Sequence, residues 1–137
     1  MKELLRKLNY KDQKRIAVIN SEDFCKAVAG KLKDVITDCE IDPRCPYEFM
    51  LVFARSVDDV EHLAPLAIHN LTADGILWFC YPKKSSKQYS PGLERDKGWK
   101  ELNEAGLFSV RMVSVDDDWS GIRFRNIKYI KSKSGRN

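Results

Sequence analysis

A basic, hydroxyl-rich segment follows the most apolar stretch of this chain. Residues 76–81 are all apolar, Pro82 ends this stretch, and Lys83, Lys84 and Ser85 come next. If the apolar stretch is a buried strand of a parallel sheet, these side chains lie at its carboxyl end, where such sheets bind ligands. Ammonium and hydroxyl groups donate hydrogen bonds to phosphate and carboxylate oxygens. The segment therefore predicts a site for an anionic small molecule, with solvated surface lysines as the alternative.

A second polar segment, residues 116–121, contains three consecutive aspartates. Adjacent residues of an extended chain point to opposite sides, so three such carboxylates rarely converge on one ion. We therefore predict no metal site, and we expect a turn in which Asp118 or Ser120 accepts hydrogen bonds from backbone amides. Asp116 or Asp117 could instead serve as a general base.

Trp119 and Arg123 suggest a binding role for the same segment. An exposed tryptophan beside an arginine can stack on a base or hold an anion, whereas a buried Trp119 would close the end of the sheet. Both alternatives stay open at this point. The candidate ligand-binding residues are Lys83, Lys84, Ser85, Asp116, Asp117, Trp119, Ser120 and Arg123.

The C-terminal region is rich in basic residues, although the net charge of the chain is only +4. In an extended strand, Arg123 and Arg125 share one face and Lys128 lies on the other. Nucleic-acid binding requires several phosphate contacts on a common surface. A weak nucleic-acid-binding module is therefore an alternative that the charge pattern does not favour.

The composition is that of a single domain over residues 1–137. We expect a leading helix and turn (1–14), an α/β core (15–130) and a polar tail (131–137). No stretch of about 18 apolar residues is present, so we expect no membrane partner. The N-terminus lacks the apolar core of a signal peptide, which favours a cytoplasmic protein. The four cysteines form no C-x-x-C pair, and we expect free thiols, with Cys25 and Cys80 buried.

The apolar pattern predicts six strands and three helices after the leading helix. Ser21 and Ser56 are suited to cap the first two of these helices. Pro65 predicts a kink or a break near His62, and an Asp74-Gly75 turn is expected to open the strand at 76–81. The remaining helix is expected over 95–105. This order predicts a three-layer α/β sandwich with a mostly parallel sheet and an antiparallel C-terminal hairpin.

Two motifs give the chain a resemblance to a known family. Residues 77–84 (LWFCYPKK) and 115–124 (VDDDWSGIRF) resemble those of a bacterial family of unknown function, whose members look like shortened class I methyltransferases. Residues 47–81 look like the fourth strand, the following helix and the fifth strand of the methyltransferase fold. The resemblance extends from the first strand to about Tyr129. It implies a Rossmann-like, methyltransferase-like sheet and assigns no activity.

The turn after the first strand departs from the methyltransferase pattern. Methyltransferases bind S-adenosylmethionine over a glycine-rich turn, where missing side chains let the backbone approach the ligand. Residues 19–23 (INSED) contain no glycine and two carboxylates. Asp38 or Glu40 could still hold ribose hydroxyls, or could be a solvated charge. We therefore expect the cofactor site to be lost and no cofactor to be bound.

These observations favour a non-catalytic, methyltransferase-like domain that binds an anionic ligand or partner, and we assign no catalytic residue. The alternative from a different class is an enzyme acting on a phosphorylated or carboxylated small molecule. In that case Lys83, Lys84 and Arg123 would hold the anion, and Asp116 or Asp117 would act as the general base.

Overall fold

The computed structural model describes residues 1–130. Its elements, in chain order, are α1 (Lys2–Lys7), β1 (Arg15–Ile19), α2 (Glu22–Lys31), β2 (Ile36–Asp38), β3 (Tyr47–Phe53), α3 (Val57–Asn70), β4 (Leu71–Pro82), α4 (Lys100–Glu104), β5 (Leu107–Ser114) and β6 (Trp119–Asn126). A 3-10 turn, Ile127–Tyr129, follows β6. The polar tail expected at 131–137 lies outside the described residues. Among residues 1–130, no helix combines the length and the apolar character that a membrane span requires.

All six strands form one sheet in the order β2-β1-β3-β4-β6-β5. β1 pairs in parallel with β2 and with β3, and β3 pairs in parallel with β4. β6 runs antiparallel to both of its neighbours, β4 and β5. The predicted mostly parallel sheet with an antiparallel C-terminal hairpin is therefore confirmed. Because β2 and β3 flank β1 on opposite sides, a topological switch point lies between the carboxyl ends of β1 and β3.

Helices cover both faces of the sheet, which gives the three layers that the sequence predicted. On one face, here called the α3 face, α3 and α4 pack with Phe79 and Phe124. On the opposite face, here called the α1 face, α1 and α2 pack with Phe49 and Trp78. Trp78 Nε1 donates a 2.8 Å hydrogen bond to the carbonyl of Leu8, which ties the leading segment to the sheet. Burying each such side chain contributes roughly 1.5–3 kcal/mol.

Side-chain caps begin α2 and α3 where the sequence predicted them. Ser21 Oγ accepts a hydrogen bond from the Phe24 N–H at 3.4 Å, and Ser56 Oγ accepts one from the Asp59 N–H at 3.2 Å. Each cap satisfies one of the amides that an α-helix leaves without an internal partner. The caps therefore set where the chain leaves β1 and β3.

Pro65 lies inside α3 without interrupting it, so of the kink or break expected near His62 the break does not occur. Proline frees the carbonyl four residues earlier, which belongs to Glu61. Both Pro65 and Glu61 are exposed, so water can hydrate that carbonyl. Ala64 and Ala67 are fully buried and keep the other side of α3 against the sheet.

Two elements differ in length from the sequence prediction. The helix expected over 95–105 is reduced to α4, because Gly98 adopts a left-handed backbone conformation (φ 100°) just before it. The strand expected at 76–81 begins at Leu71. The expected Asp74-Gly75 turn is instead an irregularity within β4, where Asp74 has φ 55° and the register with β3 shifts.

Candidate functional site

A cleft of about 850 Å³ lies at the switch point between β1 and β3. In open α/β sheets, ligands bind at this position, outside the carboxyl ends of the strands. The volume is within the range of roughly 300–1,000 Å³ that is usual for small-molecule pockets. We call it the switch-point cleft, and its lining includes Asn20, Glu22, Asp23, Glu40, Arg55 and Leu63.

Asn20 occupies the turn after β1 in which the sequence lacks a glycine. Its φ of 67° is in the left-handed region, which asparagine tolerates better than most residues with a side chain. Its Nδ2 donates a 2.9 Å hydrogen bond to the carbonyl of Phe53, the last residue of β3. Asn20 therefore adopts the backbone conformation that glycine favours, but it leaves a side chain in the turn.

Arg55 makes a second connection between the ends of β1 and β3. Its Nη1 donates a 3.2 Å hydrogen bond to the carbonyl of Asn20. Its backbone N–H donates to Asp59 Oδ2 at 2.7 Å, and the same oxygen lies 3.5 Å from Asn20 Nδ2. We call Asn20, Phe53, Arg55 and Asp59 the β1–β3 bridge. The bridge crosses the crevice that the switch point creates.

The guanidinium of Arg55 also lies over the ring of Trp119, 5.2 Å from its centroid. Trp119 is only 8% exposed and contacts Phe53 edge-on, with ring centroids 5.1 Å apart. Of the two alternatives for Trp119, the structure supports the core residue that closes the end of the sheet. Arg55 is thus held between a backbone carbonyl and an indole ring.

Acidic residues outnumber basic ones in the lining of the switch-point cleft. Glu22 and Asp23 begin α2, Glu40 follows β2, and Arg55 is the cation among the lining residues. Carboxylates repel anions across a low-dielectric cleft. The switch-point cleft is therefore unsuited to the anionic ligand that the sequence suggested.

Asp38, one of the two acids considered for ribose hydroxyls, is already bonded within the protein. Its Oδ2 accepts hydrogen bonds from Arg15 Nε at 2.8 Å and from the Tyr47 hydroxyl at 2.5 Å. Burial, together with the hydrogen bond to Asp38, raises the pKa of Tyr47 well above its ordinary value, so the hydroxyl remains a donor. Glu40, by contrast, is exposed and lines the cleft.

A disulfide joins Cys25 of α2 to Cys39, the residue after β2, so the expectation that both are free thiols is wrong. Cys25 is buried on the α1 face, and Cys39 lines the switch-point cleft. No local spacing motif marks the pair, because α2 must first pack beside β1 and β2 to bring the two residues together. Cys45 and Cys80 are free, as expected.

The basic segment lies at the carboxyl end of β4, as predicted. Lys83 donates from Nζ to Ser114 Oγ at 2.7 Å and from its backbone N–H to the Asp118 carbonyl at 2.8 Å. Lys84 forms an exposed ion pair with Glu94 at 3.8 Å. We call the adjoining cleft of about 270 Å³ the β4-end cleft, and its lining includes Lys83, Lys84, Arg95 and Ser120.

The three aspartates form the turn between β5 and β6. Asp116 Oδ1 accepts hydrogen bonds from the N–H groups of Asp118 and Trp119, at 2.8 and 2.9 Å. The residue that caps the turn is therefore Asp116, and the expectation that Asp118 or Ser120 does so is wrong. Asp117 is exposed. Within residues 1–130, no group of three or more His, Cys, Asp or Glu side chains could hold a metal ion.

The predicted ligand set is divided between two regions of the sheet. Lys83, Lys84 and Ser120 line the β4-end cleft, while Ser85 is exposed in the loop that follows β4. Arg123 lies elsewhere, because it pairs across the strands with Trp78 on the α1 face. The structure therefore does not bring Arg123 to the lysines.

Arg55 is the main site residue that sequence reasoning missed. It stands two positions after the end of an apolar strand, the same signal that drew attention to Lys83. A basic residue shortly after an apolar strand marks the carboxyl ends of both β3 and β4. What it could not identify is that Asn20, 35 positions earlier, meets Arg55.

No protein-family model matches the chain, and no curated protein sequence is significantly similar to it. Solved structures are similar in fold. The N-methyltransferase NodS from Bradyrhizobium japonicum WM9 has a TM-score of 0.60 at 14% identity, over 91% of this chain and 93% of that one. A putative type 11 methyltransferase from Sulfolobus solfataricus has a TM-score of 0.51 at 15% identity, over 99% of this chain and 94% of that one. The Methanococcus jannaschii fibrillarin pre-rRNA processing protein has a TM-score of 0.54 at 10% identity, over 84% of this chain and 67% of that one.

The chain thus has an α/β, Rossmann-like methyltransferase fold, as the resemblance implied. At these identities the similarity concerns the fold alone. A fold hosts many activities, so the function must be argued from the sites.

Proposed function

We propose that the protein is a non-catalytic binding domain, in which the S-adenosylmethionine site of the methyltransferase fold is lost. The observation that carries this proposal is the β1–β3 bridge. Asn20 and Arg55 make intramolecular hydrogen bonds across the crevice where a nucleoside cofactor would need backbone without side chains. Asn20 also places a side chain at the position after β1 where such a turn would carry glycine.

The bridge would also oppose a ligand that displaced it. Its two side-chain hydrogen bonds, to the Phe53 and Asn20 carbonyls, contribute about 0.5–1.5 kcal/mol each. The stacking of Arg55 on Trp119 adds about 0.5–1 kcal/mol. Breaking all three would cost about 1.5–4 kcal/mol, which weakens binding on the order of 10- to 1,000-fold.

The β4-end cleft supports an anionic ligand better than the switch-point cleft does. Lys83, Lys84 and Arg95 bring three cations to its lining, against the one carboxylate of Glu94. Lys83 Nζ uses one of its three donors on Ser114 Oγ, so the others can reach a ligand oxygen. The expected ligand is a small polycarboxylate.

Isothermal titration with S-adenosylmethionine and S-adenosylhomocysteine tests the lost cofactor site. We expect no saturable binding at micromolar concentration, and stoichiometric binding of either compound overturns the proposal. Citrate serves as the probe for the β4-end cleft. Lys84→Gln should weaken citrate binding, whereas Lys100→Gln, on α4, removes one charge on the α3 face and should leave it unchanged.

An enzyme acting on a phosphorylated small molecule is the second candidate. The hydrogen bond from the Lys83 N–H to the Asp118 carbonyl favours it, because this contact holds the basic segment against the aspartate turn. Asp116 is committed to that turn, so Asp117 remains as the general base. Hydrolysis of p-nitrophenyl phosphate that Asp117→Asn abolishes would support this candidate, and an inactive wild-type protein would remove it.

A further inference from the structure

Three arginines of the C-terminal hairpin share the α1 face. Arg123 and Arg125 lie two positions apart on β6, and Arg111 of β5 is the direct cross-strand partner of Arg123. Trp78, the partner of Arg123 on β4, belongs to the core of the same face. The hairpin therefore places two guanidinium-bearing residues directly opposite each other.

A bulge in β5 is responsible for this pairing. Ser109 pairs with Phe124 and Arg111 pairs with Arg123, so Val110 is left without a partner between them. Regular alternation would place Arg111 on the same face as Ser109, the α3 face. A bulge re-aims the side chains beyond it, and bulges are frequent beside binding sites. Here it brings like charges together, which by itself opposes pairing of the strands.

The charges of these arginines are only partly compensated. Asp74 accepts two 2.7 Å hydrogen bonds from Arg125, one on each carboxylate oxygen. In residues 1–130, no carboxylate forms an ion pair with Arg111 or Arg123. Arg111 has the side-chain oxygen of Asn9 as an acceptor, at 3.4 Å. Among the described residues, these two arginines therefore have no carboxylate bonded to them.

Arg123 also has a buried donor without an acceptor. Its Nε is inaccessible to solvent and makes no hydrogen bond with any group of residues 1–130. Its side chain is otherwise half-buried, so the guanidinium can still be reached from outside. Burial, followed by the nearby Arg125, lowers the pKa of Arg123 from its ordinary value, yet an arginine remains charged at any physiological pH. Because solvent does not reach Nε, a ligand would bind the Nη groups of Arg123, which are not among its buried, unpartnered atoms.

We propose that Arg111 and Arg123 form a binding site for a phosphate group on the α1 face of the β5–β6 hairpin. Two guanidinium groups supply two charges and several N–H donors, which match a dianionic, tetrahedral oxyanion. A phosphate monoester carries close to two negative charges at neutral pH. Arg125 lies beside the site, but its hydrogen bonds go to Asp74, so we do not count it among the ligand-binding residues. The site is separate from the switch-point cleft, so its failure would leave the proposed loss of S-adenosylmethionine binding untouched.

Inorganic phosphate is the first probe, compared with chloride at matched ionic strength. Phosphate should raise the melting temperature of the wild-type protein in a saturable manner, because a ligand that binds the native state stabilises it. Arg111→Gln and Arg123→Gln should each weaken phosphate binding at least tenfold. Lys100→Gln, which removes one charge from the opposite face, should leave it unchanged. Equal responses in all four proteins, or no phosphate effect beyond that of chloride, would overturn the proposal.

The stability of the variants without phosphate separates a binding role from a structural one. In phosphate-free buffer, Arg111→Gln should be at least as stable as the wild type, since it removes a like charge opposite Arg123. Arg123→Lys keeps the charge but lacks the planar fork, so it should recover phosphate binding only in part. Marked destabilisation of Arg111→Gln in phosphate-free buffer would assign the pair to folding and overturn the site.

A single-stranded oligonucleotide of about 12 nucleotides distinguishes the two sources of a phosphate group. If the ligand of the site is a small phosphate monoester, the oligonucleotide should bind no better than inorganic phosphate. If the ligand is a phosphodiester backbone, the oligonucleotide should bind more tightly than inorganic phosphate, with an affinity that falls steeply as the salt concentration rises. Either result supports the arginine site if Arg123→Gln abolishes it, and oligonucleotide binding that persists in Arg123→Gln counts against it.

Discussion

Arg55 donates a 3.2 Å hydrogen bond to the carbonyl of Asn20, and so joins the carboxyl ends of β1 and β3. Methyltransferase-like folds offer their ligand-binding crevice at this point, and here protein groups cross it. The rest of the switch-point cleft remains open beside the bridge. The proposed loss of cofactor binding therefore depends on this contact between Asn20 and Arg55.

Replacing Asn20 should show how much the bridge contributes to stability. Asn20→Ala loses the hydrogen bond to Phe53 and places alanine at φ 67°, so we expect a loss of about 2–3 kcal/mol in the free energy of unfolding. Asn20→Gly loses the same hydrogen bond without the left-handed penalty and should cost about 1 kcal/mol. Urea denaturation measures both. Equal losses for the two variants would mean that the backbone conformation of Asn20 carries no strain.

The disulfide between Cys25 and Cys39 should stabilise the fold. It closes a short loop, with a sequence separation of 14, and such a cross-link typically contributes about 2–4 kcal/mol through the unfolded state. Cys39→Ser should therefore lower the free energy of unfolding, and a thiol reductant should lower that of the wild type by a similar amount. Cys45→Ser, at a free and half-buried thiol, is the control. An unchanged stability after complete reduction would contradict this prediction.

The ion pair between Asp74 and Arg125 should make stability depend on acid pH. The hydrogen bonds that Asp74 accepts from Arg125 lower the pKa of Asp74 in the folded state. The contribution is therefore fully present above the unfolded pKa of about 3.9 and is lost as the pH falls through the lower folded value. Asp74→Asn should remove this part of the acid dependence. Both side chains are about one third exposed, so we expect roughly 1 kcal/mol at neutral pH.

Thermal unfolding of wild type and Asp74→Asn between pH 2 and pH 7 would measure this effect. Asp118→Asn, in the exposed hairpin turn, is a control for a general loss of negative charge. If the wild-type and Asp74→Asn curves ran parallel down to pH 2, the pair would not contribute as described.

Truncation of Trp119 should distinguish a core residue from an exposed stacking platform. Trp119→Ala removes a buried ring that contacts Phe53 and Arg55, so we expect a loss of about 3–5 kcal/mol. Trp119→Phe keeps an aromatic ring and should cost less. Denaturant titration followed by far-UV circular dichroism measures both. A loss below about 0.5 kcal/mol for the alanine variant would indicate an exposed ring after all.

Much of the fold could be predicted, because its signals are local. The caps at Ser21 and Ser56 and the apolar run of 76–81 each depend on residues close in sequence. The failures also have local reasons. Gly98 shortened the last helix, and exposure of Pro65 allowed α3 to continue.

The candidate sites were harder to predict than the elements. Lys83 and Lys84 were found because they directly follow a recognisable strand. Arg123 was assigned to the wrong neighbours, because alternation along β6 states which residues share a face but not which strand lies alongside. Its partner Arg111 depends on the bulge at Val110, which no residue pattern announced.

By itself, the sequence determined the order of strands and helices, the starts of α2 and α3, and the absence of glycine after β1. Periodicity and capping act over a few residues, so these features are written in the chain. Only the tertiary structure decided that Asn20 meets Phe53 and Arg55, that Cys25 meets Cys39 and that Arg111 faces Arg123. Each of these contacts depends on which strands lie side by side and in what register, and packing of the whole chain sets both.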